Sequence, residues 1–184
     1  MREEIEELYQ AEQKQNEIDH HLPTAGAMTN HILANLRVMS TKLNQLEWYI
    51  KGNNYFADQQ FLSSMRQTVD NYFNQLGHQL VNVGEKPSSI TEEFSEYKML
   101  TENARNKYLT DQEMLAMLVD DIQTSKMFIS RAIILAQNES KFPLQNFLIE
   151  LDGSFNQFSA AIQARLGKEP LEGLEEDDDE EDDD

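Results

Sequence analysis

Six polar side chains recur every three or four residues along one segment: Gln59, Ser63, Arg66, Asp70, Asn74 and His78. At 100° per residue they share one broad arc of a helix. Arg66 and Asp70 are four apart and can pair with each other or across a symmetry axis. The pattern is that of a polar interface satisfied by hydrogen bonds and ion pairs, with His78 at its end. The other histidines offer less. His20 and His21 are neighbours, and adjacent helical residues do not face each other, so they read as a linker. His31, one turn before Asn35, reads as a surface or interface residue. No nucleophile set, phosphate-cradling glycine loop or zinc-type spacing is present. With no cysteine, disulfides, thiolate metal sites and cysteine nucleophiles are excluded.

The elements that must position these groups are helical. Met28, Ile32, Leu36, Met39, Leu43, Leu46 and Ile50 draw one apolar stripe, ended by the turn signal Gly52-Asn53-Asn54. A second helix is predicted from about Asp58 to Val83, with Leu62, Met65, Val69, Tyr72 or Phe73, Leu76, Leu80 and Val83 as its stripe; Gly84 and Pro87 close it. Thr110 and Glu113 form a capping-box pattern that opens a third helix through Leu118, Ile122, Ser125, Ile129, Ala132 and Ala136. Pro143 suits the first turn of a fourth, carrying Leu144, Leu148, Leu151, Phe155, Phe158 and Ile162. Met28, Met39, Met65, Met114, Met117 and Met127 follow helical stripes, as core packing requires. Two helix pairs joined by a long connection over residues 84–109, with a short helix within Ser89–Tyr97, make the plan of a ferritin-like four-helix bundle. The expected fold class is all-α, with a short crossover helix and an extra N-terminal helix over Glu3–Gln15. The expected domains are an N-terminal extension 1–21, hinged at His20-His21-Leu22-Pro23, a bundle 22–172 and a disordered acidic tail 173–184.

Charge bounds the partners. Residues 172–184 hold eleven acidic side chains and no basic one, leaving −8 of the net −19 on the rest. Such a tail lacks the apolar content to offset its ordering entropy. The Asp177–Asp184 run can bind calcium or iron only as an ion atmosphere without defined geometry. No apolar run is long enough to cross a bilayer, and Met1-Arg2-Glu3-Glu4 does not start a secretory signal, so a cytoplasmic protein with no membrane partner is expected.

Leu46-Glu47-Trp48-Tyr49-Ile50-Lys51-Gly52-Asn53-Asn54-Tyr55-Phe56 resembles the L-H-W-Y-x-x-G-x-x-F-F segment of the Dps family, small ferritin-like proteins of starved bacteria. Asn30-His31-x-x-Ala34-Asn35-Leu36 resembles the family's first helix. Val83-Gly84-Glu85-Lys86-Pro87-Ser88-Ser89-Ile90 is similar to its I-G-G-x-P-x-S-T-L loop, and Leu166-Gly167-Lys168-Glu169-Pro170-Leu171 to its closing L-G-K-x-P. The resemblance covers roughly residues 28–172. It implies a ferroxidase centre, an oxidoreductase site acting on iron. In the family this centre uses two histidines and an aspartate from one subunit, with an aspartate and a glutamate from its twofold neighbour.

Carried over residue by residue, the first histidine falls on Glu47, the second on Gln59 and the aspartate on Ser63. The partner's aspartate falls on Asn74 and its glutamate on His78. None of the five matches in type, and amides or a hydroxyl are poor neutral substitutes for the carboxylates and imidazoles that iron needs. Glu47 and His78 exchange the family's histidine and glutamate. In a family-type dimer they would meet across the interface, either sharing one metal ion or hydrogen-bonding in its place. Trp48 and Tyr49 would pack beside that position as interface aromatics, and Arg66 and Asp70 would join the interface.

The resemblance further implies a homo-oligomeric shell, a dodecamer, whose acidic pores lie near the start of the fourth helix. The corresponding stretch, Lys141 to Asn146, has a lysine and an asparagine where pore aspartates are expected. Family members that bind DNA often do so through lysine-rich termini. Residues 1–21 carry only Arg2 and Lys14 against seven acidic side chains, so DNA binding is not expected without bridging divalent ions. The functional expectation is a stress-protection shell that sequesters iron weakly through a degenerate centre. The alternatives are a non-catalytic structural or interaction shell with acidic tails, and an active ferroxidase working through the swapped Glu47/His78 site.

Overall fold

The computed structural model describes residues 2–21 and 23–174; the Glu175–Asp184 run and the side chains of His20 and His21 lie outside that description. Among the described residues are six α-helices and one 3-10 turn, and no strand. The helices are α1 (Arg2–His21), α2 (Ala25–Tyr49), α3 (Tyr55–Asn82), α4 (Thr91–Tyr97), α5 (Asp111–Asn138) and α6 (Phe142–Arg165), with the 3-10 turn at Ala104–Tyr108.

Local chemistry sets the helix ends. Thr24 caps α2, its Oγ1 accepting from the Ala27 amide at 3.1 Å, while Glu139 reaches over from the end of α5 to accept the Ala25 amide at 2.7 Å. Both satisfy amides that a helix N-terminus leaves without intrahelical partners. The α3 C-terminus is closed by Gly84 at φ +87, with the Gly84 amide on Val81 O at 3.0 Å and the Glu85 amide on Leu80 O at 3.0 Å. That is the two-bond glycine closure that satisfies orphan carbonyls. Thr110 and Glu113 form the reciprocal box expected at the start of α5, and Pro143 lies in the first turn of α6. α3 begins three residues before the expected Asp58. The Asp58 side chain is instead buried inside the first turn by a cation from α6, and Asn54 takes the cap position.

α2 packs on α3 and on α5, α5 pairs with α6, and α3 also meets α6. Two helical hairpins are thus joined by a crossover, residues 83–110, whose short α4 lies against α2. This is the ferritin-like four-helix bundle with a short crossover helix and an extra N-terminal helix. The predicted stripes meet in one core: Leu43 and Leu46, Leu62 and Met65, Leu118 and Ile122, and Leu148 and Phe155 are fully buried. Burying each such side chain contributes about 1.5–3 kcal/mol relative to leaving it exposed.

Two expectations are corrected. α1 runs on to His21 instead of ending near Gln15, so the first half of the expected His20-His21-Leu22-Pro23 hinge is helical backbone; Leu22 lies outside the described residues, and Pro23 lies between α1 and α2. Met127 is 53% exposed: it stands two residues from both buried Ser125 and buried Ile129, on the opposite side of α5. His31, expected at a surface or an interface, is half-buried against the crossover and α5. Its Nδ1 is 2.7 Å from Tyr97 O, and its ring meets Tyr97 edge-on and Phe128 at a tilt.

Candidate metal centre

Glu47 stands in the last turn of α2, half-buried, facing the fourth turn of α3. There the Arg66 guanidinium donates from Nε to Glu47 Oε2 at 3.2 Å. The same guanidinium donates from Nη1 to Asp70 Oδ2 at 3.4 Å, one turn further along α3. Asp70 is held on its other side, where Ser40 Oγ donates to Oδ1 at 2.5 Å. Asn74 Nδ2 donates to the Asp70 carbonyl at 3.0 Å and so folds back on its own helix. The result is a chain of contacts, Glu47–Arg66–Asp70–Ser40, that ties α2 to α3 within one subunit. One cation is shared by two carboxylates, leaving a local charge of −1.

The remaining expected residues lie as follows. Gln59 and Ser63 are half-buried on α3, two turns and one turn before Arg66. His78 is exposed near the end of α3. Its position twelve residues beyond Arg66 places it roughly 18 Å along the helix at 1.5 Å per residue. Glu47 and His78 are therefore not brought together within one chain, and only a second copy can join them. Trp48 is 70% exposed and Tyr49 is also exposed, with the Lys107 ammonium 5.7 Å from the Tyr49 ring centroid. Among the described residues no three His, Asp or Glu side chains are grouped so as to hold a metal ion.

Three polar clusters escaped the sequence reading. Ser40 is one; its signal is that it precedes Glu47 by seven residues and so shares that face of α2. The second lies between α2 and α5, where Lys42 Nζ is 2.5 Å from Asp121 Oδ2, both side chains buried. Burial pushes the Asp121 carboxyl above its usual value, and Lys42 pulls it back part of the way. The third gathers one end of the bundle. Arg165, in the last turn of α6, donates to both Asp58 oxygens at 2.8 and 2.7 Å and to Asp111 Oδ2 at 2.9 Å. Hydrogen bonding to Asp58 raises the Arg165 pKa further.

Lys141, read as a cation where a pore acid is expected, is not a free charge. It contacts Glu85 Oε1 at 2.5 Å and Glu139 Oε2 at 2.8 Å. Burial alone would lower its pKa, and the hydrogen bonds to Glu139 and Glu85 outweigh that and raise it. Gly26 makes room for the Glu85 carboxylate, which stands where a Cβ would be. Between α1 and the bundle lies a cavity of about 450 Å3, lined by Glu12, His31, Lys86 and Tyr97 among others. The Glu12–Lys86 ion pair spans it at 3.9 Å.

The family profile described as a ferritin-like domain matches residues 27–168. The fold is similar to that of the Lactococcus lactis MG1363 DpsB protein, with 37% identity, a TM-score of 0.87, and 92% of this chain and 98% of that one covered. It is also similar to the DpsA protein of the same organism, at 35% identity and a TM-score of 0.84, over 90% and 97% of the two chains. The DNA protection during starvation protein of Listeria innocua is 27% identical over 143 residues, which are 78% of this chain and 92% of that protein.

Proposed function

Because the chain belongs to the Dps family of ferritin-like proteins, we propose that it builds a stress-protection shell that sequesters iron weakly, through a ferroxidase centre that has degenerated. The observation that carries the reading is the ion pair between Arg66 and Glu47. Iron is the cargo of such a shell, and the donor set at the five ligand positions does not fit a dinuclear iron site. Gln59, Ser63 and Asn74 are neutral, and Glu47 already faces a permanent cation. A metal ion shared by Glu47 and the His78 of a second copy would have to displace that guanidinium first.

The shell is homo-oligomeric and, on the family resemblance, dodecameric. What supports assembly is the exposed aromatic surface at the end of α2 and the start of α3, where Trp48 is 70% and Phe56 84% exposed. Large aromatics such as these are enriched in covered interfaces. The shell's place is the cytoplasm, and no helix among the described residues is long and apolar enough to cross a membrane. DNA is not a partner at physiological salt, because the described α1 is acidic and presents few cations to a polyanion.

The test is iron retained per particle after anaerobic Fe(II) loading, peroxide addition and gel filtration. A small load that survives Glu47→Ala is expected, with slow oxidation in both proteins. Fast oxidation abolished by Glu47→Ala would restore a working centre and overturn the reading. Complete absence of retained iron would favour the non-catalytic shell.

A further inference from the structure

We propose that Arg66 is a tethered cation that keeps divalent metal out of the carboxylate pair Glu47 and Asp70. The inference rests on the reading of Glu47 as a former ligand position and adds what now occupies the site. The guanidinium spreads its donors over both acids, Nε to Glu47 Oε2 at 3.2 Å and Nη1 to Asp70 Oδ2 at 3.4 Å. Ser40 orients the Asp70 carboxylate from behind at 2.5 Å. The side chains are only 26%, 18% and 39% exposed for Arg66, Glu47 and Asp70, so the attraction is less screened than in open water.

Three physical properties make Arg66 an effective competitor. Its charge is permanent, because arginine does not deprotonate in proteins, so no accessible pH vacates the position. It is covalently attached, so its effective concentration is set by the helix geometry and exceeds that of free divalent ions in solution. Its planar fork matches two acceptors at once, which a lysine in the same place would serve only as a point charge. A divalent ion must therefore pay for expelling a guanidinium into water before it gains either carboxylate.

The experiment titrates Mn2+ into the assembled full-length protein and follows it by electron paramagnetic resonance. Arg66→Gln keeps a polar side chain of similar reach and removes the charge. It is expected to gain one site per chain that binds Mn2+ at least about tenfold more tightly than the wild-type protein does, as the freed carboxylates regain a cation. The double variant Arg66→Gln/Glu47→Gln is expected to lose that gain. No gain in Arg66→Gln overturns the proposal, as does a gain that persists without Glu47. Should the Gln variant fail to assemble, the wild-type and Glu47→Gln proteins decide the matter. Equal Mn2+ binding supports exclusion by Arg66, and binding lost with Glu47 overturns it. Metal held at sites indifferent to Glu47 bears on the storage reading alone, so the two ideas fail separately.

Discussion

Lys42 of α2 and Asp121 of α5 form an ion pair inside the bundle, Nζ to Oδ2 at 2.5 Å, with the lysine side chain 3% and the aspartate side chain 11% exposed. This pair joins the first helical hairpin to the second across the interior. Desolvating two charges costs about what their attraction returns, so the pair contributes geometry more than net stability. Its energetic signature lies in the difference between removing one charge and removing both.

Lys42→Met alone should cost about 3–5 kcal/mol near neutral pH, because it strands the buried Asp121 carboxylate. Lys42→Met with Asp121→Leu should recover most of that loss. Urea unfolding at fixed protein concentration measures both. A double variant no better than the single would mean that the two charges act independently.

The same aspartate sets a pH dependence of unusual sign. Burial raises its carboxyl above the ordinary 3.8, so the folded state holds the proton more tightly than the unfolded state does. Between 3.8 and the raised value this group therefore loses stability as pH rises, and gains it as pH falls. Compared with Lys42→Met/Asp121→Leu, the wild-type protein should gain relative stability on acidification through that window. A stability difference that stays flat with pH would count against the assignment.

Arg165 holds the starts of α3 and α5 to the end of α6 through Asp58 and Asp111. Arg165→Ala leaves the buried Asp58 carboxylate without its cation and should cost about 1.5–3 kcal/mol, the range for hydrogen bonds to charged groups. Amide exchange should accelerate first in the opening turns of α3 and α5. Uniform acceleration along all four bundle helices would refute a local clamp.

Glu113 has its pKa lowered, first by the Thr110 backbone amide and then by the Thr110 hydroxyl. A depressed carboxylate contributes stability above its unfolded value of 4.5 and loses it as pH falls through the folded value. Thr110→Ala should cost about 1 kcal/mol as a lost cap. It should also move the Glu113 titration upward toward the unfolded value, which carboxyl-detected NMR reads directly.

The four apolar stripes, the Thr110–Glu113 box, the Gly84 closure and Pro143 all act within a turn or two of themselves. Each is therefore legible as periodicity or as a cap, and the bundle follows from them. The mismatch at Glu47, Gln59, Ser63, Asn74 and His78 is likewise a matter of residue type at counted spacing. What the four-residue spacing could not decide was whether Arg66 serves Asp70, a neighbouring subunit, or Glu47. That depends on the register of α3 against α2, which apolar packing of the whole hairpin sets and which no local pattern encodes. The same holds for Asp58, which reads as a helix start and is buried by a cation 107 residues away. Lys42 and Asp121 each look solvated in isolation, and only the closing of two hairpins on each other puts both charges inside. Sequence alone determined the core-facing stripes of the four bundle helices and the closure of α3, though not how far α1 runs or that Met127 faces outward. Tertiary structure decided which charge meets which, because Coulomb pairing depends on distances that only packing fixes.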